Sequence, residues 1–205
     1  MLDSCQNIIW DFDGVIIDSN SVREFGFVKT LETYPLDQVD QLLEFHNKNG
    51  GLSRYVKFRY FFEKIRKERI STDRVNELAA TFSTVMMERL LDPNLLISDS
   101  VEFIRKNFRN KRMHIASGSD HEELNKICDR LSLKKYFLSI DGSPTPKNEI
   151  VRNILESYEY NQKETCLIGD STNDYDAART NGIQFYGYNN LELNKLPAEY
   201  ITSFK

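Results

Sequence analysis

Five short apolar runs, each followed at once by aspartate, serine or glycine, constrain the fold of this chain most. They are rich in Ile, Leu, Phe or Val and lie at 7–10, 113–116, 137–140, 165–168 and 182–186. Continuous apolar runs of this length fit strands that are buried on both faces. Helical spacing of apolar residues in 98–108, 121–131 and 148–158 places helices between these runs. Strands that alternate with helices predict an α/β fold with a Rossmann-like parallel sheet.

The segment between the first two runs breaks this alternation. It contains no convincing strand, and its pattern predicts four helices, at about 20–33, 37–48, 53–69 and 72–91. Pro35, Gly50-Gly51 and the capping pair Ser71-Thr72 separate them. We therefore predict an α/β core domain at 1–16 and 92–205, with an inserted α-helical cap domain at 17–91.

Composition and charge exclude several classes of protein. The 205 residues include 27 basic and 31 acidic side chains, for a net charge of -4, whereas nucleic-acid and anionic-membrane binders carry a basic excess. No apolar run is long enough to span a membrane. The three cysteines are widely spaced and lack a metal-binding pattern. These features predict a cytoplasmic protein with reduced cysteines, no nucleic-acid partner and no membrane partner.

Charged residues follow the runs at the edge where a parallel sheet binds its ligands. Asp11 and Asp13 follow the first run, Asp170 follows the fourth, and Ser117 and Lys147 lie after the second and third. In open α/β sheets, ligands bind beyond the carboxyl ends of the strands. Converging carboxylates make an oxygen-rich site that suits Mg²⁺, and the lysine and serine suit a phosphoryl group.

The four segments resemble the motifs of the haloacid dehalogenase (HAD) superfamily, in its phosphatase branch with a helical cap. They run in family order across nearly the whole chain: 11–19 (DFDGVIIDS), Ser117 in IASGS, Lys147 in SPTPK, and 169–174 (GDSTND). Any one of them alone is a weak signal, but the set is highly specific.

The resemblance implies a role for each matched residue. Asp11 resembles the nucleophile that becomes an aspartyl phosphate, and Asp13 resembles the general acid and base. Ser117, with the adjacent Gly118, and Lys147 resemble the phosphate-binding residues. Asp11, the backbone carbonyl of Asp13 and Asp170 resemble the Mg²⁺ ligands, and Asp174 resembles the acid that supports the metal shell or the lysine. Retention of Asp13 favours phosphate-ester chemistry, because an alkoxide leaving group needs a proton donor.

A second resemblance lies in the predicted cap. Residues 49–54 (NGGLSR) are similar to the Gly-x-Ser-Arg turn of β-phosphoglucomutase-like members, in which the arginine contacts a substrate phosphate. By this match Arg54 reaches the substrate, and Lys57 assists it one helical turn later. The alternative for Arg54 is a surface ion pair, which explains an arginine equally well.

The motifs therefore predict a phosphoric monoester hydrolase that acts on a small phosphorylated metabolite such as a sugar phosphate or phosphoglycolate. A phosphomutase uses the same aspartyl phosphate and remains an alternative. A binding protein that has kept the fold is a third possibility, although such a protein has usually lost the nucleophile or a metal-binding acid. The sequence does not identify the substrate or the oligomeric state.

Overall fold

The sheet is parallel throughout and has the first strand near its centre. The computed structural model describes residues 2 and 4–204, and in these residues six strands pair in the order β3-β2-β1-β4-β5-β6. The strands are β1 (Asn7–Trp10), β2 (Arg112–Asp120), β3 (Ser139–Ser143), β4 (Thr165–Gly169), β5 (Gln184–Tyr188) and β6 (Glu199–Ile201). The predicted α/β fold with a Rossmann-like parallel sheet is confirmed.

Eight α-helices accompany the sheet in the part of the chain described. They are α1 (Asn20–Thr30), α2 (Leu36–Lys48), α3 (Arg54–Tyr60), α4 (Thr72–Leu90), α5 (Ser98–Asn107), α6 (His121–Arg130), α7 (Lys147–Ser157) and α8 (Thr172–Thr180). Serine and aspartate side chains begin several of them by accepting a backbone N–H: Ser53 caps α3, Ser71 caps α4 and Asp120 caps α6. Such caps satisfy backbone donors that have no partner within the helix.

The side chains of the central strands alternate between two apolar cores. Ile8 and Trp10 pack into the core that also includes the helices of residues 20–90, whereas Ile9 packs on the other face with Val151 and Leu167. Successive side chains of a strand point to opposite faces. A strand buried on both faces therefore favours apolar residues at successive positions, as at Ile8, Ile9 and Trp10 of β1, and this is why the continuous runs predicted strands correctly.

Several predicted boundaries differ from the structure. The third helix of the 20–90 segment ends as an α-helix at Tyr60 and continues as a π-helical turn, Phe61–Ile65, instead of running to residue 69. The strand β2 extends to Asp120, beyond the predicted end at 116. The sequence pattern did not predict β6, because its three residues include a glutamate and form no apolar run.

The two chain segments that lead into and out of the predicted cap run side by side. Ile17 forms an isolated antiparallel bridge with Leu96. The Asp18 N–H donates to the Leu95 carbonyl at 2.7 Å, and the Ile97 N–H donates to the Ile16 carbonyl at 2.9 Å. Between these linkers the chain is helical, without a strand. Paired linkers of this kind support the predicted division at 17–91, which stays a prediction; we use the name cap for these residues.

The helices of the described residues include none that combines the length and the apolar character needed to cross a membrane.

Candidate active site

The predicted catalytic residues meet at the carboxyl edge of the central strands. Asp11 follows β1, Ser117 and Gly118 lie in the last part of β2, and Asp170 follows β4. Together with Asp13 they line a cavity of about 100 Å³ that the cap covers. A larger and more open groove of about 1180 Å³ runs between the cap helix α4 and the helices α6 and α7, but none of these five residues lines it. The predicted catalytic residues therefore lie in the smaller cavity.

Lys147 binds two of the predicted acids. It begins α7, and its Nζ lies 2.7 Å from Asp11 Oδ1 and donates a hydrogen bond to Asp174 Oδ1. Burial lowers the pKa of this lysine, but the two carboxylates outweigh burial and raise the pKa above its ordinary value. The ammonium is thus a fixed positive charge beside the Asp11 carboxylate.

Asp11, Asp170 and Asp174 form an acidic cluster beneath the cavity. One carboxylate oxygen from each lies within 4.8 Å of the others. Burial, and then the neighbouring carboxylates, raise the pKa of Asp11 to about 7 and raise that of Asp170 well above its ordinary value. Oxygens bound to one Mg²⁺ lie about 3–4 Å apart, so this set of hard oxygen donors fits a small divalent cation. A cation here would offset the repulsion that raises both pKa values.

Asp174 owes its position to the start of α8. Its carboxylate accepts hydrogen bonds from the backbone N–H and the hydroxyl of Ser171, and the Ser171 hydroxyl accepts from the Asp174 N–H. This reciprocal capping box fixes the side chain in one orientation. Asp174 is therefore held where it contacts Lys147.

The Asp13 carboxylate is bonded by three side chains, of Ser19, Arg23 and Ser119, to which the sequence analysis gave no role. Ser119 Oγ donates to Asp13 Oδ2 at 2.5 Å, Ser19 Oγ donates to Oδ1, and the Arg23 guanidinium bonds Oδ1 at 3.0 and 3.1 Å. Burial raises the pKa of Asp13, but Arg23 and the two hydroxyls outweigh burial and hold the pKa below its ordinary value. Asp13 is thus an ionised carboxylate in this closed arrangement.

Ser117 and Gly118 form the floor below the cap. Ser117 is buried and its Oγ accepts a hydrogen bond from the Ser119 N–H at 3.0 Å. A Cβ atom on Gly118 would overlap the Gly51 carbonyl of the cap. Only a glycine at this position permits so close an approach of the cap to the strand end.

The two predicted cap residues are buried in the wall of the cavity and are already bonded. Arg54 bonds Glu123 Oε1 at 2.6 Å and Oε2 at 2.8 Å and bonds Ser83 at 2.5 Å. Lys57 Nζ lies 2.8 Å from His46 Nδ1 and 3.1 Å from the Gly50 carbonyl. Arg54 does form an ion pair, but the pair is buried and not on the surface as the alternative supposed, since Arg54 is only 4% exposed.

The sequence motifs did not point to Arg23, Glu123, His46 or Ser119. Arg23 lies four residues after Ser19, at the end of the first motif, and Ser119 lies two residues after Ser117. Helical spacing from the first motif was a signal that could have found Arg23. Glu123 and His46 carry no local signal, because their partners are distant in the chain.

The cap is closed on the core through polar contacts at two places. Asn173 donates from Nδ2 to the Gly51 carbonyl at 2.9 Å, and Tyr55 donates from its hydroxyl to Asp120 Oδ2 at 2.7 Å. Closed caps exclude water from a phosphoryl group. The fold and this covered acidic cleft define a hydrolase class in which an aspartate lies at the end of the first strand.

The comparison with family models identifies that class. The model described as haloacid dehalogenase-like hydrolase matches residues 8–188. The chain therefore belongs to the haloacid dehalogenase-like hydrolase family, as its motifs predicted. The predicted enzyme class is confirmed at the level of an HAD-type hydrolase; its action on phosphoric monoesters stays a prediction.

Solved structures with the same fold include phosphatases and a phosphomutase. A β-phosphoglucomutase from Clostridium difficile aligns with a TM-score of 0.77 at 17% identity, over 98% of this chain and 92% of that one. CbbY from Rhodobacter sphaeroides, solved in complex with phosphate, aligns with a TM-score of 0.77 at 14% identity, over 98% and 95%. A predicted phosphoglycolate phosphatase from Haemophilus somnus aligns with a TM-score of 0.74 at 14% identity, over 100% and 96%. At these identities the likeness concerns the fold. No curated protein matches the chain by sequence.

Proposed function

We propose that this enzyme is a magnesium-dependent phosphatase that hydrolyses a small phosphate monoester through an aspartyl-phosphate intermediate. One observation carries the proposal: the buried Asp11 carboxylate is paired with Lys147 and lies beside Asp170 at the end of β1. Few buried carboxylates are placed next to both a lysine and further acids unless the site handles a charged group.

In the first step an Asp11 carboxylate oxygen attacks phosphorus and the bond from phosphorus to the ester oxygen breaks. The electron pair of that bond stays on the leaving oxygen, which takes a proton from Asp13 and departs as an alcohol. Ser117, the backbone at Gly118 and Lys147 bind the transferring phosphoryl oxygens, and the Lys147 ammonium offsets their charge.

In the second step water attacks the phosphorus of the aspartyl phosphate. Asp13 accepts the proton of that water, and the bond between phosphorus and Asp11 breaks, which restores the free carboxylate and releases phosphate. The depressed pKa of Asp13 favours its ionised form, which suits the base of this step. The proton that Asp13 accepts from this water is the one that it donates to the leaving oxygen in the first step of the next turnover.

Asp11, the Asp13 backbone carbonyl and Asp170 would hold the Mg²⁺ ion, with Asp174 supporting the site through Lys147. When bound, the ion neutralises charge on the phosphoryl oxygens. The cap would close over the ester and provide Lys57, whose present partners are neutral acceptors, for the substrate side of the cavity, while Arg54 stays bonded to Glu123. We expect the enzyme to work in the cytoplasm.

The test is magnesium-dependent release of phosphate from a panel of small monoesters. Wild type is compared with Asp11→Asn, and with Asp176→Asn as a matched control, since Asp176 is an exposed aspartate of α8 that pairs with Arg179. We expect release that requires Mg²⁺, falls at least about 10³-fold in Asp11→Asn and is unchanged in Asp176→Asn. Equal release by all three proteins would overturn the assignment of the nucleophile.

A phosphomutase is the second candidate, because the turn that carries Arg54 lines the cavity. A mutase would return the phosphoryl group to a second hydroxyl of the same molecule. Isomer formation that depends on a sugar bisphosphate, without net phosphate release, would establish it.

A further inference from the structure

A buried cluster of three charges spans the cap and the core at the edge of the cavity. Arg23 of α1 and Arg54 of α3 both bond Glu123 of α6. The Arg23 Nη1 lies 2.5 Å from Glu123 Oε1, and the two Arg54 nitrogens contact both Glu123 oxygens. The side chain of Arg23 is 7% exposed, that of Arg54 is 3% exposed and that of Glu123 is 1% exposed. No motif of the proposed phosphatase reaction includes Glu123.

The two arginines have their charges and their donors engaged by this protein's own groups. Arg54 uses both terminal nitrogens on Glu123 and a further bond on Ser83. Arg23 divides its donors among Glu123, Asp13 and Ser119. Neither guanidinium therefore offers the fork of free donors that would bind a phosphate or a carboxylate of a ligand.

The charged side chains around the cavity show how Glu123 affects the balance of positive and negative charge there. The buried basic side chains that line or adjoin the cavity are Arg23, Arg54, Lys57 and Lys147, and the acids are Asp11, Asp13, Asp170 and Asp174. Glu123 lies behind the two arginines and lines the neighbouring groove. The acids at the strand ends serve the nucleophile, the proton transfer and the metal. Asp13 and Glu123 share the charge of Arg23, whereas Arg54 pairs with Glu123. Without it, the cap arginines would present positive charge toward the part of a substrate that lies away from the transferred phosphate.

Glu123 cannot easily leave this position when a ligand enters. It lies in the first turn of α6, where its N–H donates to the capping carboxylate of Asp120 at 3.0 Å. Its side chain is enclosed by the two arginines. An incoming anion would have to compete with this carboxylate, which is fixed to a rigid element, for the donors of the two arginines.

We propose that Glu123 is a specificity-determining residue, which restricts the cleft to phosphate monoesters whose remaining part carries no second anionic group. This inference rests on the proposed phosphatase function and narrows its substrates. Bisphosphates and phosphorylated carboxylic acids, including phosphoglycolate, are disfavoured, and sugar or polyol monophosphates are favoured. It also disfavours a mutase, which must hold a molecule with phosphate at both positions midway through its cycle.

The first arm of the test needs no change at Glu123. The matched ligands are glycerol 3-phosphate and 3-phosphoglycerate, which carry the same phosphate and differ in a hydroxymethyl group against a carboxylate. Binding is measured by calorimetry with Mg²⁺ and the Asp11→Asn variant, in which turnover is removed, and kcat/KM is measured with wild type. We expect at least about tenfold preference for glycerol 3-phosphate in both. Equal affinity for the two ligands overturns the inference.

The second arm changes the charge of residue 123. Glu123→Gln keeps the size of the side chain and removes the charge, and Glu122→Gln is the control, since Glu122 is the exposed neighbour that pairs with Lys126. In Glu123→Gln we expect the preference to fall about tenfold or to reverse, mainly because the carboxylate-bearing ester then has a lower KM. Glu122→Gln keeps the wild-type preference. Equal loss for both ligands in Glu123→Gln would mean that the residue is merely structural, and would overturn the inference.

The two arms separate this inference from the proposed function. If neither ester is hydrolysed but Asp11→Asn binds glycerol 3-phosphate selectively, the phosphatase fails and the selectivity stands. If both esters are hydrolysed equally well, the phosphatase stands and the role of Glu123 fails. Should Glu123→Gln not fold, as breaking a buried ion cluster can cause, the first arm decides alone.

Discussion

Gly14 keeps open the space that the Asp170 carboxylate occupies. It lies at a φ of +78°, where a side chain is strained, and a Cβ there would overlap Asp170 Oδ2. We predict that Gly14→Ala displaces Asp170, weakens Mg²⁺ binding at least about tenfold and lowers kcat/KM by a similar factor or more. Magnesium titration by calorimetry, together with phosphate release, measures both effects.

The matched control for this change is Gly50→Ala. No atom lies within 4 Å of the Cβ that an alanine would carry at residue 50, so we expect the same metal affinity and a melting temperature within a few degrees of wild type. Unchanged magnesium affinity in Gly14→Ala would contradict the role of Asp170 as a ligand.

Single residues also explain how far the sequence could predict the site. Asp11, Asp13, Ser117, Lys147 and Asp170 were predictable, because each directly follows a buried run or begins the next helix, so its position depends on nearby sequence alone. The contact of Arg23 with Glu123 joins residues 100 apart, and no local pattern encodes it. Folding has to bring the cap onto the core before the two side chains meet.

At the scale of elements, the cap helix α3 is joined to the end of β2 by a hydrogen bond from one tyrosine hydroxyl. Tyr55 of α3 donates to the Asp120 carboxylate at 2.7 Å, and a hydrogen bond to a charged group contributes about 1.5–3 kcal/mol. We predict that Tyr55→Phe favours the open cap and raises KM about tenfold, with a small effect on the melting temperature. Steady-state kinetics and thermal unfolding measure the two quantities.

Tyr136→Phe is the control for this prediction. Tyr136 packs against Phe108, away from the cap, and this variant likewise removes one tyrosine hydroxyl. We expect its KM to match wild type. An unchanged KM in Tyr55→Phe would mean that the bond to Asp120 does not contribute to closure.

Prediction of the elements failed most clearly at two points, the short core strand β6 and the end of the third cap helix. A core strand buried on both faces has a continuous apolar sequence, whereas a helix end depends on local hydrogen bonds. The predicted helix at 53–69 ended early because the chain forms a π-helical turn at Phe61–Ile65, in which Phe61 and Phe62 are buried against the ring of Tyr34. Tertiary packing of these rings, rather than helical periodicity, sets the geometry of that turn.

For the whole molecule, two buried histidines make stability depend on pH. Burial lowers the pKa of His114 to about 4, and burial with the charges of Lys57 and Arg23 lowers that of His46 to about 3. In the unfolded chain both titrate near about 6.5. The unfolded state therefore binds more protons as the pH falls below about 6.5, and the free energy of unfolding falls with it. Each histidine contributes up to about 1.4 kcal/mol per pH unit until its folded pKa is reached.

The variants His114→Gln and Glu123→Gln separate two pH windows in this stability. In His114→Gln the slope of the free energy of unfolding against pH should fall by about 1.4 kcal/mol per pH unit between about pH 6 and 4, because one group that binds a proton on unfolding is removed.

The two arginines outweigh burial and hold the pKa of Glu123 below its ordinary value of 4.5. The ionised form of Glu123 therefore stabilises the fold above that pH, and this stability is lost as the pH falls further. Glu123→Gln should thus flatten the curve only below about pH 4.5, even though the variant is less stable at neutral pH. Urea unfolding at each pH gives both slopes, and a wild-type slope in His114→Gln between about pH 6 and 4 would contradict a neutral, buried His114.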